Sequence, residues 1–251
     1  MSDRWSILVL LFAVRTTMAF QFQSVAALAP LMQREFGVGL ADLGLSIGLY
    51  LAPGVALALP GGAIGRRYGD KAVVIAGLAL MICGGLVMAA SASWTYQLLG
   101  RLLAGIGGVL LNVLMSKMVT DWFAGKEIAT AMAIFVNSWP FGIALALVVL
   151  PFVGTEFGVS AAFLLATALV AVGLVSLAVL YQAAPAGVSA PATNAWPTGT
   201  ALLAVLVAGL IWGLYNASIG MIFGFGTTML VERGWPLAAA SSTTSIVLWL
   251  A

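Results

Sequence analysis

Few residues in this chain carry chemistry, and their placement narrows what that chemistry is. Histidine is absent, which excludes imidazole acid–base catalysis, histidine metal ligation and histidine proton relays within the chain. The single cysteine, Cys83, closes no internal disulfide and forms no CxxC redox pair. The acids Asp3, Glu35, Asp42, Asp70, Asp121, Glu127, Glu156 and Glu232 all fall in tails or between apolar runs. No nucleophile–base pair and no metal-ligand cluster lies inside an apolar run, so the sequence reads as neither an enzyme nor a metal or cofactor protein. Arg15 and Arg101 are different, because both lie inside apolar runs.

Arg15 sits about ten residues into the first apolar run, roughly 15 Å from its start and near the middle of a bilayer. An arginine there costs about 2.5–3.5 kcal/mol on insertion scales, and its side chain is too short to reach either surface. It needs a substrate anion, or else helix carbonyls or an acid outside this chain. Arg101 lies seven residues after Trp94 and shares a helical stripe with Gly105, Gly108 and Asn112. Substrate contact and a structural or gating role are both open for it. Asn137 and Ser138 precede Pro140, whose ring removes a helix hydrogen bond. Asn137 therefore either faces a cavity or satisfies freed backbone groups. Trp212, Tyr215 and Asn216 form a further stripe that either lines a site or fills space between helices.

The elements that position these residues follow from composition. Only 7% of the 251 residues are charged, against about 25% in water-soluble domains, so this surface is not one that water solvates. The apolar residues run continuously rather than alternating, which selects helices over a β-barrel. A net charge of +2 without a basic cluster argues against nucleic acid. The predicted fold is all-α, a polytopic transmembrane helix bundle in a lipid bilayer. Spans are expected at 5–33, 41–64, 71–91, 94–119, 127–151, 159–181 and 199–230, with a further run from Leu237 to Ala251. The first span closes in no small-residue cleavage site and reads as an anchor, not a cleaved signal peptide. Residues 183–198, with three prolines and no charge, read as a linker.

Basic residues orient the bundle. With the N-terminus in the cytoplasm, Arg4, Arg66, Arg67, Lys71, Lys117 and Lys126 fall inside, and only Arg34 and Arg233 outside. A shift of 197 residues lays the first span over the seventh and superposes Met32 on Met229, Gly37 on Gly234, Leu40 on Leu237 and Ala41 on Ala238. The chain then divides into a six-helix half (1–182), a cytoplasmic linker (183–198) and the start of a second half (199–251). The same shift sets Trp212, Tyr215 and Asn216 opposite Arg15, Met18 and Ala19. The final run of 15 residues covers about 22 Å of a core about 30 Å thick, so the expectation is a truncated chain with an incomplete eighth helix.

Three segments resemble the major facilitator superfamily. The stretch Gly62-Ala63-Ile64-Gly65-Arg66-Arg67-Tyr68-Gly69-Asp70-Lys71 is similar to its cytoplasmic signature of glycine, three residues, aspartate, arginine, one residue, glycine and then bases. Gly62, Arg67, Gly69 and Lys71 match; Arg66 stands where the acid is usual and Asp70 where a base is usual. Arg101 followed by Gly105, Gly107 and Gly108 is similar to the fourth-helix pattern, and Asp121-Trp122-Phe123 through Pro140 to the inner loop and fifth helix. The resemblance implies a transporter of two six-helix halves, with Gly62, Arg67, Gly69, Lys71 and Asp121 as inner gating elements. Its flavour is closest to small-anion or cyanate/nitroimidazole-type carriers. Arg67 and Asp121 are expected to pair across the two loops.

The expected function is secondary transport of a small, anionic or polar solute by alternating access in a bacterial inner membrane. Arg15, Arg101, Asn112, Asn137, Trp212, Tyr215 and Asn216 are the candidate solute-binding residues. The alternatives are a non-transporting fragment or membrane interaction module, and, with least support, an intramembrane enzyme.

Overall fold

A computed structural model describes residues 3–125, 127–184 and 198–249. Lys126, most of the expected linker (185–197) and the last two residues, Leu250 and Ala251, lie outside the described residues. Ten helices and no strand occur among those described: α1 (Arg4–Ala27), α2 (Ala29–Phe36), α3 (Leu40–Leu51), α4 (Pro53–Tyr68), α5 (Asp70–Ala90), α6 (Trp94–Phe123), α7 (Ile128–Phe157), α8 (Val159–Leu180), α9 (Gly199–Glu232) and α10 (Leu237–Trp249). Among the described residues, seven spans are long and apolar enough to cross a membrane, and they overlap the expected ones with ends that differ by up to six residues.

The differences have local causes. The first span breaks at Leu28 because Pro30 opens α2, and the second breaks at Ala52 because Pro53 opens α4. Pro151, by contrast, is absorbed within α7, which runs on to Phe157 rather than stopping at 151. Tight reversals between antiparallel spans use glycine with φ near +90°, at Gly69 between α4 and α5 and at Gly158 between α7 and α8.

The core gathers α1, α5, α6, α7 and α8, with Leu11, Val14, Met18, Leu78, Leu111, Phe135 and Leu147 fully enclosed. Water-driven burial does not hold transmembrane helices together; close packing of small residues does. The tightest case is α5 against α6. A Cβ on Gly77 would lie 2.8 Å from the carbonyl oxygen of Gly107, and one on Gly84 would collide with that of Gly100. On α4, Gly61 and Gly65 also pack on α6, whereas a Cβ on Gly48 or Gly220 would meet nothing within 4 Å. At the end bearing Arg4, an ion pair of 2.8 Å from Arg4 to Glu127 ties α1 to the start of α7. At the opposite end, the Gln23 amide donates to the Phe223 carbonyl at 2.7 Å, and Gly44 receives the Phe225 ring. These contacts join α1 and α3 to the second half of α9.

Candidate functional site

Arg15 lies eleven residues into α1, about 16 Å along its axis, with only 8% of its surface exposed. The sequence of α7 builds its pocket. Pro140 has no N–H, so the Val136 carbonyl four residues earlier loses its helical donor. Arg15 Nη1 supplies one at 3.3 Å, and also donates to the Phe135 carbonyl at 3.0 Å and to Ser138 Oγ at 3.4 Å. Nε donates to Asn112 Oδ1 of α6 at 3.1 Å. The guanidinium carbon sits 4.7 Å from the Phe135 ring centre and 5.9 Å from that of Trp139. The carbonyl reading of Arg15 is therefore realised in part. Nη2 donates to nothing among the described residues and is not sealed off, and no acid pairs with Arg15 among them.

Arg101 is the contrasting case. It is 1% exposed, and its three nitrogens donate to the carbonyls of Ser46 (3.3 Å), Gln21 (3.3 Å) and Phe22 (2.5 Å). The Tyr50 and Phe22 rings flank it at 4.7 and 5.4 Å. Gly105 and Gly108 continue the stripe as the seat for the Tyr50 backbone and ring. Most of this stripe thus binds α6 to α1 and α3, which is the structural role. Only Asn112, further along it, reaches Arg15.

Asn137 is exposed on α7 and donates to the Ala133 carbonyl at 2.9 Å, a bond within its own helix. The expected juxtaposition of α9 with Arg15 is not formed. Trp212 and Tyr215 are 61% and 53% exposed, Asn216 is exposed and donates to the Trp212 carbonyl, and every residue from 200 to 218 is exposed. The physical reason is that α9 meets α1 at the Phe223 end only. A cavity of about 340 Å³ between α2 and the end of α9 is also away from Arg15 and is lined by Arg34, Thr228 and Glu232.

The signature loop differs from expectation as well. Arg67 is exposed and lies over the Tyr68 ring, so it does not pair with Asp121. Asp121 instead takes Lys117 one turn earlier at 3.1 Å, and Lys117 also bonds Asp70 at the start of α5. Gly62 is half-buried in α4, and Lys71 donates to the Tyr181 carbonyl at the end of α8 at 2.9 Å. The acid that the signature lacks at Arg66 has a counterpart four residues on, at Asp70. Sequence reasoning missed Phe135 and Trp139 as the walls around Arg15 and Lys117 as the partner of both acids. The spacing of Phe135 and Trp139, one turn apart beside Pro140, was the available signal.

The family model described as Major Facilitator Superfamily matches residues 11–251. The chain belongs to the Major Facilitator Superfamily. It is 28% identical over 138 residues to the inner membrane transport protein YajR of Escherichia coli (strain K12), covering 55% of this chain and 30% of that one. Its fold is similar to a bacterial homolog of the human lysosomal transporter Spinster in an inward-facing, unoccupied conformation, with a TM-score of 0.77 at 17% identity over 99% of this chain and 60% of that one. A D-xylose-proton symporter matches with a TM-score of 0.74 at 15% identity over 98% of this chain and 66% of that one. This superfamily member thus covers 30% of the Escherichia coli relative's length and 60% of the Spinster homolog's. It is a multi-pass membrane protein of the transporter fold.

Proposed function

We propose that the chain serves secondary transport of a small anionic or polar solute by alternating access, with Arg15 as the positive handle. The observation that carries this reading is a buried arginine with one nitrogen free and no acidic partner among the described residues. A charge left partly unsatisfied at membrane depth is a standing attraction for an anion. The names of the relatives, an inner membrane transport protein and a Spinster homolog among them, support the transport class. The proposed orientation has the N-terminus in the cytoplasm of a bacterial cell, and the proposed division is a half at 1–182, a linker at 183–198 and the start of a second half from 199. In this reading α9 closes at the Arg4-bearing end during the cycle, which carries Trp212, Tyr215 and Asn216 toward Arg15 and Asn137. The signature loop, with Gly62, Arg67, Gly69, Lys71 and the Lys117–Asp121 pair, acts as the inner gate, where half-buried ion pairs worth about 1 kcal/mol bias two near-equal states.

The test is uptake of a panel of labelled small anions and their neutral analogues into vesicles carrying the protein. Saturable uptake of an anion above empty vesicles is expected. Uptake confined to neutral or cationic solutes removes the anion from the proposal.

A further inference from the structure

Asn112 is wired to Arg15 in one sense only. Its Oδ1 accepts the Arg15 Nε–H at 3.1 Å, which fixes the amide with the oxygen toward the guanidinium. The Nδ2 group must then point away from that bond, and it donates to nothing among the described residues, although Asn112 is an exposed residue of α6. Beside it on the guanidinium is Nη2, the other free donor. The remaining faces of Arg15 are closed: Nη1 is held by α7, and Phe135 and Trp139 stand against the plane.

Resting on the transport reading above, we infer that Arg15 Nη2 and Asn112 Nδ2 form one donor pair, and that this pair selects a small monocarboxylate by taking its two oxygens. Two neighbouring donors on one edge suit a planar, two-oxygen anion, as in the fork-like recognition of carboxylates by arginine. A single positive charge without a second base nearby balances one negative charge and leaves a dianion half-neutralised. Asn112 is thereby a specificity residue: its oxygen aims the arginine, and its nitrogen reads the second oxygen of the ligand.

The experiment is direct binding of radiolabelled benzoate to the purified full chain in detergent, with unlabelled benzamide, succinate and phosphate as competitors. Saturable benzoate binding, resisted by benzamide and weakly displaced by the dianions, is expected. Asn112→Leu removes both the aim and the second donor and is expected to weaken benzoate about tenfold while narrowing its preference over benzamide. Asn112→Asp places a carboxylate on Arg15 and is expected to abolish binding, with thermal stability kept. If Asn112→Leu binds benzoate as the parent does while Arg15→Gln loses it, the donor pair is wrong and the Arg15 reading stands. If the parent chain binds no benzoate, the monocarboxylate inference falls, and the anion reading falls with it only if the uptake panel also shows no saturable anion uptake.

Discussion

At the scale of single residues, two intramembrane arginines meet the same problem with different results. Both take carbonyl oxygens from a neighbouring helix, but Arg101 spends all three nitrogens and Arg15 keeps one. Arg101→Ala is expected to lower the unfolding midpoint in detergent by on the order of 6–12 °C. The basis is three hydrogen bonds, each contributing about 1 kcal/mol, and about 2–4 °C per kcal/mol for a chain of this size. A midpoint within 1–2 °C of the parent contradicts the tying role. How much of this was legible is itself a matter of residues. That Arg15 needed a partner followed from its depth, and that Val136 offers a free carbonyl follows from Pro140 by counting back four. That the two meet did not follow, because α1 and α7 are apolar on nearly every side and their sequences do not say which face turns toward which.

At the scale of elements, glycine and proline set the geometry that positions the site. Gly77 and Gly107 bring the α5 and α6 backbones into contact, so Gly77→Val is expected to prevent folded protein from accumulating, since the clash is with backbone that cannot swing aside. Normal yield and a single symmetric peak in size-exclusion chromatography contradict that packing. On α7, Pro140→Ala restores an N–H to the Val136 carbonyl and takes an acceptor from Arg15. A proline within a helix bends it, so spin labels flanking it, at Ala131 and Thr155, are expected to move apart on this replacement; an unchanged distance means Pro140 sets no bend. The helices follow from the apolar runs and the freed Val136 carbonyl from Pro140, but which glycines meet a neighbouring backbone does not. Spacing alone does not separate a glycine facing a backbone from one facing lipid, as Gly77 and Gly220 illustrate.

At the scale of the whole molecule, the described helices join at one end of α9 and stand apart along the rest of it. Gln23 and Phe223 hold one end, and the exposed 200–218 stretch leaves the Arg15 face uncovered. The internal repeat pairs Trp212, Tyr215 and Asn216 with the Arg15 stripe but does not give their separation, because a repeat encodes correspondence and not the conformation adopted. Orientation is testable with Cys83→Ser as background. A cysteine at Arg67 is expected to resist, and one at Gly37 to react with, an impermeant maleimide added outside intact cells; the reverse pattern turns the bundle over. The most direct test of the central claim compares anion uptake by the parent, Arg15→Lys and Arg15→Gln proteins at matched expression. The charge handle predicts background uptake for Arg15→Gln and a reduced but measurable rate for Arg15→Lys, since lysine keeps the charge and loses the fork. Uptake by Arg15→Gln equal to the parent contradicts it.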